Sequence, residues 1–183
     1  MRSAPQIITD DAEFRADGVH RYWLSRAVAA EGPVGLFLGL NPSKAGAIGD
    51  DHTVRKWKGF TKRWGWSGFL VGNLFSFIET KSALLRDLAP YHANDDNSNT
   101  ALISLILRTP NIVLCWGNNV PKHLQSRVSA VLDLLSEHQL PGATVSTFGL
   151  SKSGHPMHPL TLGYDTPLQR YALAKRLSRR ERE

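Results

Sequence analysis

Apolar positions along the chain change period from one segment to the next. "PVGLFLGL", residues 33–40, is a continuous apolar run of strand length, closed by Pro33 before it and Asn41 after it, the pattern of a strand buried on both faces. Beyond it Val54, Trp57, Phe60, Thr61 and Trp64 recur at helical spacing. They follow Asp50, Asp51 and Thr53, side chains able to cap free backbone N–H groups. The alternation repeats. "SGFLVGNLFSF" reads as a strand, "NDDNSNTALISLILRTP" as a helix, and "NIVLCWG" as a strand. "VPKHLQSRVSAVLDLLSEH" is a helix with Leu124, Val128, Val131, Leu132 and Leu135 on its apolar face. "ATVSTFGL" is a last strand and "TPLQRYALAKRLSRRERE" a closing basic helix; ahead of them all, "RYWLSRAV" alternates loosely, as an edge strand would.

Strands separated by helices predict a three-layer α/β/α fold with a mostly parallel central sheet. One domain spans 1–183, with 1–18 an N-terminal extension and 178–183 a basic, disordered tail. At 183 residues and 42% hydrophobic content the chain can bury roughly 70% of its unfolded surface and needs no covalent staple. Its one cysteine, Cys115, lies within "NIVLCWG" and reads as a small buried hydrophobe. Disulfide frameworks and cysteine-ligated clusters are excluded.

The first residues lack the apolar core of a secretory signal, and no apolar stretch approaches the roughly 20 residues that cross a bilayer. A cytoplasmic protein without a membrane partner is expected. The formal net charge is +6, with basic residues gathered in "VRKWKGFTKRWGW" and "AKRLSRRERE". That balance favours a polyanionic partner, nucleic acid first; a solvated basic face with a frayed tail is the plainer alternative.

In a parallel sheet "NPSKAG", "NLFSF", "WGNN" and "GLSKSGHPMHPL" would all leave the carboxyl ends of strands on one rim, where open α/β sheets bind ligands. Asn41 beside Pro42 is also an ordinary way to end a strand. Asn73 suits the edge of a base, with Phe75 nearby for stacking. Trp57, Trp64 and Trp66 alternate with Lys56, Lys58, Lys62 and Arg63 as on a stacking and phosphate surface. Helical Trp spacing more often means core packing, which leaves only Trp66 outside. His155 and His158 stand three apart on a stretch stiffened by Pro156 and Pro159, about 9 Å if extended. A third ligand is not evident, so no metal and no cofactor are predicted; one imidazole pointing into the cleft would serve as a hydrogen-bond donor or acid.

Over roughly 20–170 the chain resembles an uncharacterised bacterial and phage domain-of-unknown-function family. The motifs are Asn41-Pro42-Ser43, Gly59-Phe60 with Arg63-Trp64-Gly65, Asn73-Leu74-Phe75, Trp116-Gly117, and Gly154 to Leu160. More remotely, motif order and type are similar to the uracil-DNA glycosylase superfamily, especially its mismatch-specific branch. Gly39-Leu40-Asn41-Pro42-Ser43 matches that branch's first motif. His155-Pro156-Met157 with Pro159-Leu160 matches the superfamily's last one with one extra residue.

This second resemblance implies a uracil-DNA glycosylase-like fold and a monofunctional DNA glycosylase that hydrolyses the bond to a flipped, modified or mismatched base. Asn41 would position the attacking water, and His155, or else His158, would stabilise the leaving base. An amide orients water but cannot take its proton, so Asn41 alone would be a weak catalyst unless Asp50 or Asp51 reaches in. Asn73 and Phe75 would line the base pocket with Trp116 and Gly117, Ser43 and Lys44 would contact phosphate, and Met157 or Leu160 would be the wedge. Arg55, Lys58, Lys62 and Lys152 would meet the DNA backbone, duplex or single-stranded, with the protein a monomer. The alternatives are a non-catalytic nucleic-acid or nucleotide-binding module with the same cleft, and a hydrolase or transferase of free nucleotides or another small anion.

Overall fold

A computed structural model describes residues 8–46 and 49–173. Seven strands form one sheet: β1 (Asp11–Phe14), β2 (Arg21–Ala27), β3 (Val34–Gly39), β4 (Gly68–Asn73), β5 (Asn111–Leu114), β6 (Thr144–Thr147) and β7 (Gln169–Arg170), in the order β1-β2-β4-β3-β5-β6-β7. Helix α1 (His52–Arg63) joins β3 to β4. The one-turn α2 (Pro90–Ala93) and α3 (Ser98–Ile106) precede β5, and α4 (Ser126–His138) precedes β6.

The sheet is mixed, not mostly parallel. The inner strands β4, β3, β5 and β6 run parallel, whereas β1 with β2, β2 with β4, and β6 with β7 are antiparallel. The expected edge strand is therefore interior, because β1, formed from the supposed extension, covers its free side. The described part of the expected closing helix, residues 166–173, is not helical: it carries β7, and Tyr171, the next residue, donates its N–H to the Val145 carbonyl at 2.8 Å. The basic tail lies outside the described residues. No helix among them is long and apolar enough to cross a membrane.

The inner strands are buried on both sides, and their alternation divides the core in two. Leu36, Leu38, Leu70, Ile112 and Leu114 pack with Leu102, Leu105 and Ile106 of α3 and Val131 and Leu135 of α4. Phe37, Phe69, Val71 and Val113 face the other way, onto Val54, Trp57 and Phe60 of α1. Phe37 stacks on Trp57 with 5.4 Å between ring centroids and meets Phe69 edge-on at 5.4 Å. Burying each of these rings contributes about 1.5–3 kcal/mol. Trp66 belongs to this core: it is 8% exposed, and its ring lies so close over Gly35 that an added Cβ would stand 1.8 Å from Cζ3. Trp64, instead, is the half-buried one of the three.

Two arginines in β2 look inward. Arg26 is completely buried; Nε donates to Asp50 at 2.7 Å, Nη1 to the Ser25 carbonyl at 2.7 Å, and Nη2 to the carbonyls of Gly46 and Gly49 at 2.6 and 2.9 Å. Asp50 also holds Lys58 at 2.7 Å. Partial burial alone would raise its pKa, but the hydrogen bonds from Arg26 and Lys58 outweigh this and hold it below the usual carboxylate range. The loop between β3 and α1 is thus fastened to β2 by charge-assisted bonds.

Candidate functional site

Because β3, β4 and β5 are parallel, their carboxyl ends lie on one edge, and a cavity of about 260 Å³ opens there. Gly39 ends β3 beside Asn73, its register partner at the end of β4. A Cβ at position 39 would stand 2.7 Å from Asn73 Oδ1, so the amide lies across a bare Cα. Beyond the strands, Leu74 and Phe75 continue the pairing onto the carbonyls of Gly39 and Leu40, at 2.9 Å each.

Asn41 also borders the cavity, and its Nδ2 is already engaged. It donates to the carbonyls of Glu79 at 2.7 Å and Pro42 at 3.0 Å, with Phe77 at 3.5 Å. Among the described residues nothing donates to its Oδ1, which is the atom able to accept from a bound water. Ser43 turns from the turn to Asp51, its hydroxyl donating to Oδ2. Asp51 Oδ1 caps α1 by accepting the Val54 N–H at 2.8 Å. Asp51 brings a carboxylate into the cavity wall.

The opposite wall is the turn after β6. Leu150 and Pro156 bridge, Ser151 N–H donates to the His155 carbonyl and Met157 N–H to Gly149, so the segment doubles back on itself. The Pro156 carbonyl then accepts Gly117 N–H at 2.9 Å, which ties it to the end of β5. His158 lines the cavity; His155 is half-buried and does not. Burial lowers the pKa of His158, opposed by the negative charge of Asp51, so the ring is neutral at neutral pH. Nδ1 accepts the Leu160 N–H at 3.4 Å, which leaves the proton on Nε2 as a donor.

Of the residues expected at the site, the structure brings together Asn41, Ser43, Asn73, Trp116, Gly117, His158 and Leu160 around the cavity. His155, Lys44, Phe75 and Met157 do not line it. Phe75 is buried in the core on the α3 side, Met157 packs beside Gly149 and the core around α1, and Lys44 is exposed. The expected backbone contacts divide as well. Lys62 and Lys152 are exposed, Arg55 donates to the Asp50 carbonyl at 2.7 Å, and Lys58 is paired with Asp50 and Asp10. Lys56 lies 4.0 Å over the Tyr164 ring and Arg63 pairs with Asp165.

Sequence reasoning missed Arg21, which is 3% exposed and lines the cavity. Two arginines inside an apolar strand pattern were the available signal. Burial pushes its guanidinium down to about 10, with Asp51 opposing and Arg26 adding to the shift, so it stays charged at neutral pH. Cys115 is a poor nucleophile, since burial pushes its thiol up to about 12. Among the described residues no group of three or more His, Cys, Asp or Glu could hold a metal ion.

The chain belongs to the family described as "Protein of unknown function (DUF1643)", whose model matches residues 21–160. No curated protein and no solved structure matches it.

Proposed function

We propose that this cleft receives a base flipped out of DNA and hydrolyses its bond to the sugar, as a monofunctional glycosylase does, on a uracil-DNA glycosylase-like fold. The observation that carries this reading is that a carboxylate, Asp51, and a neutral imidazole with its proton on Nε2, His158, border one cavity with Asn73 and Asn41. Water held by Asn41 Oδ1 and Asp51 attacks the sugar carbon. The new C–O bond forms as the C–N bond breaks, the water proton passes to Asp51, and the C–N electron pair departs with the base. His158 Nε2–H and the Asn73 amide donate to the charge that develops on the base.

Leu160, 46% exposed on the rim, is the side chain that would enter the stack as the base leaves it. Lys44, Lys62 and Lys152 would meet phosphates, the protein acting as a cytoplasmic monomer. Incubating the protein in excess with duplexes that carry assorted modified or mismatched bases tests this. Abasic sites should form, and Asp51→Asn should slow their formation at least about 100-fold; a complete panel without abasic sites overturns the reading.

One observation favours the second reading, a nucleotide-binding module without turnover. Both oxygens of Asp51 already accept hydrogen bonds, from Val54 N–H and from Ser43. Tight binding of a modified-base duplex with no base release supports that alternative.

A further inference from the structure

Five residues apart on one strand, the two buried arginines are provided for very differently. Arg26 has a carboxylate at 2.7 Å and four backbone carbonyls, those of Asp11, Ser25, Gly46 and Gly49. Arg21 has no carboxylate within ion-pair distance among the described residues. Its Nη1 donates to the Ala45 carbonyl at 2.5 Å, and its buried Nε has no partner. Asp51 acts on this cation only from beyond ion-pair distance, and a buried cation without a carboxylate in contact is unfavourable unless something else meets it. Three more cavity-lining side chains have buried donors without partners, Asn73 at Nδ2 and both Trp57 and Trp116 at Nε1. All four unmet atoms are N–H groups. The oxygens of Asp51 are directed to Val54 N–H and the Ser43 hydroxyl, so its charge reaches Arg21 without a direct hydrogen bond.

We propose that this inner wall, formed by Arg21, Asn73 and Trp116, is an oxyanion site that holds a phosphate or carboxylate group of the ligand. Oxygen anions are rich in acceptor lone pairs and bring into contact the negative charge that Asp51 supplies only from a distance, and guanidinium binds both kinds of anion well. A neutral base edge would satisfy donors but leave the cation uncompensated. The inference goes beyond glycosidic hydrolysis and does not depend on it, because the same wall would serve a nucleotide phosphate or the carboxylate of a small acid. At about 260 Å³ the cavity suits a small anionic group together with a modest ligand body.

The test is calorimetry and thermal unfolding of the full chain with inorganic phosphate and, separately, acetate, with chloride holding ionic strength constant. One of the two anions should bind saturably at one site per chain and raise the Tm. Phosphate alone points to a nucleotide or sugar phosphate, and acetate alone to a carboxylic acid. Trp116→Phe, which keeps an aromatic ring but removes the indole N–H together with the rest of the five-membered ring, should weaken binding several-fold. Arg21→Gln should weaken it at least tenfold, whereas Arg108→Gln, a charge removed elsewhere, should leave it unchanged. Should Arg21→Gln fail to fold, Trp116→Phe decides. No binding above chloride, so that water alone meets these donors, or equal binding by wild type and Trp116→Phe, overturns the proposal. Anion binding is read without any base release, so the two proposals can fail separately.

Discussion

His158 packs against the bare Cα of Gly117: a Cβ there would stand 3.0 Å from the Cβ of His158, and Gly117 holds φ at +74°. The end of β5 and the turn after β6 are fitted to each other through the absence of one methyl group. Gly117→Ala should therefore cost about 1–2 kcal/mol in denaturant melts, from left-handed backbone strain together with the crowding. It should also slow any reaction that uses His158 more than Gly142→Ala does, whose φ of +78° is equally strained but whose Cβ meets nothing within 4 Å.

Asp51 serves two purposes that substitution can separate. Asn is as good an N-cap as Asp, so Asp51→Asn should stay within about 0.5 kcal/mol of wild type, whereas Asp51→Ala should lose about 1 kcal/mol with its cap. Under the hydrolytic reading, base release in single turnover should fall about 100- to 10,000-fold in both, as for loss of a general base. An Asp51→Asn variant that keeps the wild-type rate would refute the carboxylate's part in the reaction.

Lys58 was expected on the DNA backbone, yet its ammonium is held by Asp50 and Asp10 at 2.7 and 3.6 Å. If duplex DNA binds, Lys62→Ala and Lys152→Ala should each reduce the slope of log affinity against log salt by about 0.9. Lys58→Ala should change that slope far less and lower stability instead. Equal salt effects from all three would mean that the Lys58 ion pairs open on binding.

Acid should destabilise the fold in two stages. Burial holds His20 and His158 below the ordinary 6.5, so near that value the unfolded chain binds more protons than the folded one. Stability is full above 6.5 and falls as pH drops below it. Asp50 and Asp95 are held below 3.8, their partial burial outweighed by hydrogen bonds from Arg26 and Lys58 and from Tyr22 and Ser98. Their contribution is present above 3.8 and is lost as pH falls through their folded values. Melts from about pH 8 to about pH 5.5 should show the first loss, and His20→Asn should reduce it.

Removing Asp50 leaves Arg26 buried without its carboxylate. Asp50→Ala should destabilise by about 3 kcal/mol, well beyond Asp10→Ala, whose carboxylate is 45% exposed and 3.9 Å from Arg26. Urea unfolding of the two variants side by side checks the order.

Local pattern was enough to define β3 through β6 with α1, α3 and α4, because strands buried on both faces and amphipathic helices must display their periods in the chain itself. The same pattern located Asn41, Asn73 and Trp116 at strand ends, and parallel pairing of the inner strands puts such ends on one rim. Pairing direction at the margins was not legible. β1 is four residues long and mostly exposed, and β7 is two residues long and exposed; such segments carry no period and become strands only because a neighbour offers unpaired backbone. For the same reason β2, read as an edge, became interior once β1 covered it. Which histidine meets the cavity depended on how the chain doubles back between Leu150 and Pro156, since extended residues three apart point to opposite sides and either could have faced inward. Arg21 could be placed only by tertiary structure: a charged residue in a strand says nothing of which way it points, and its direction was settled by the Ala45 carbonyl and by the cavity beyond the ends of β3, β4 and β5.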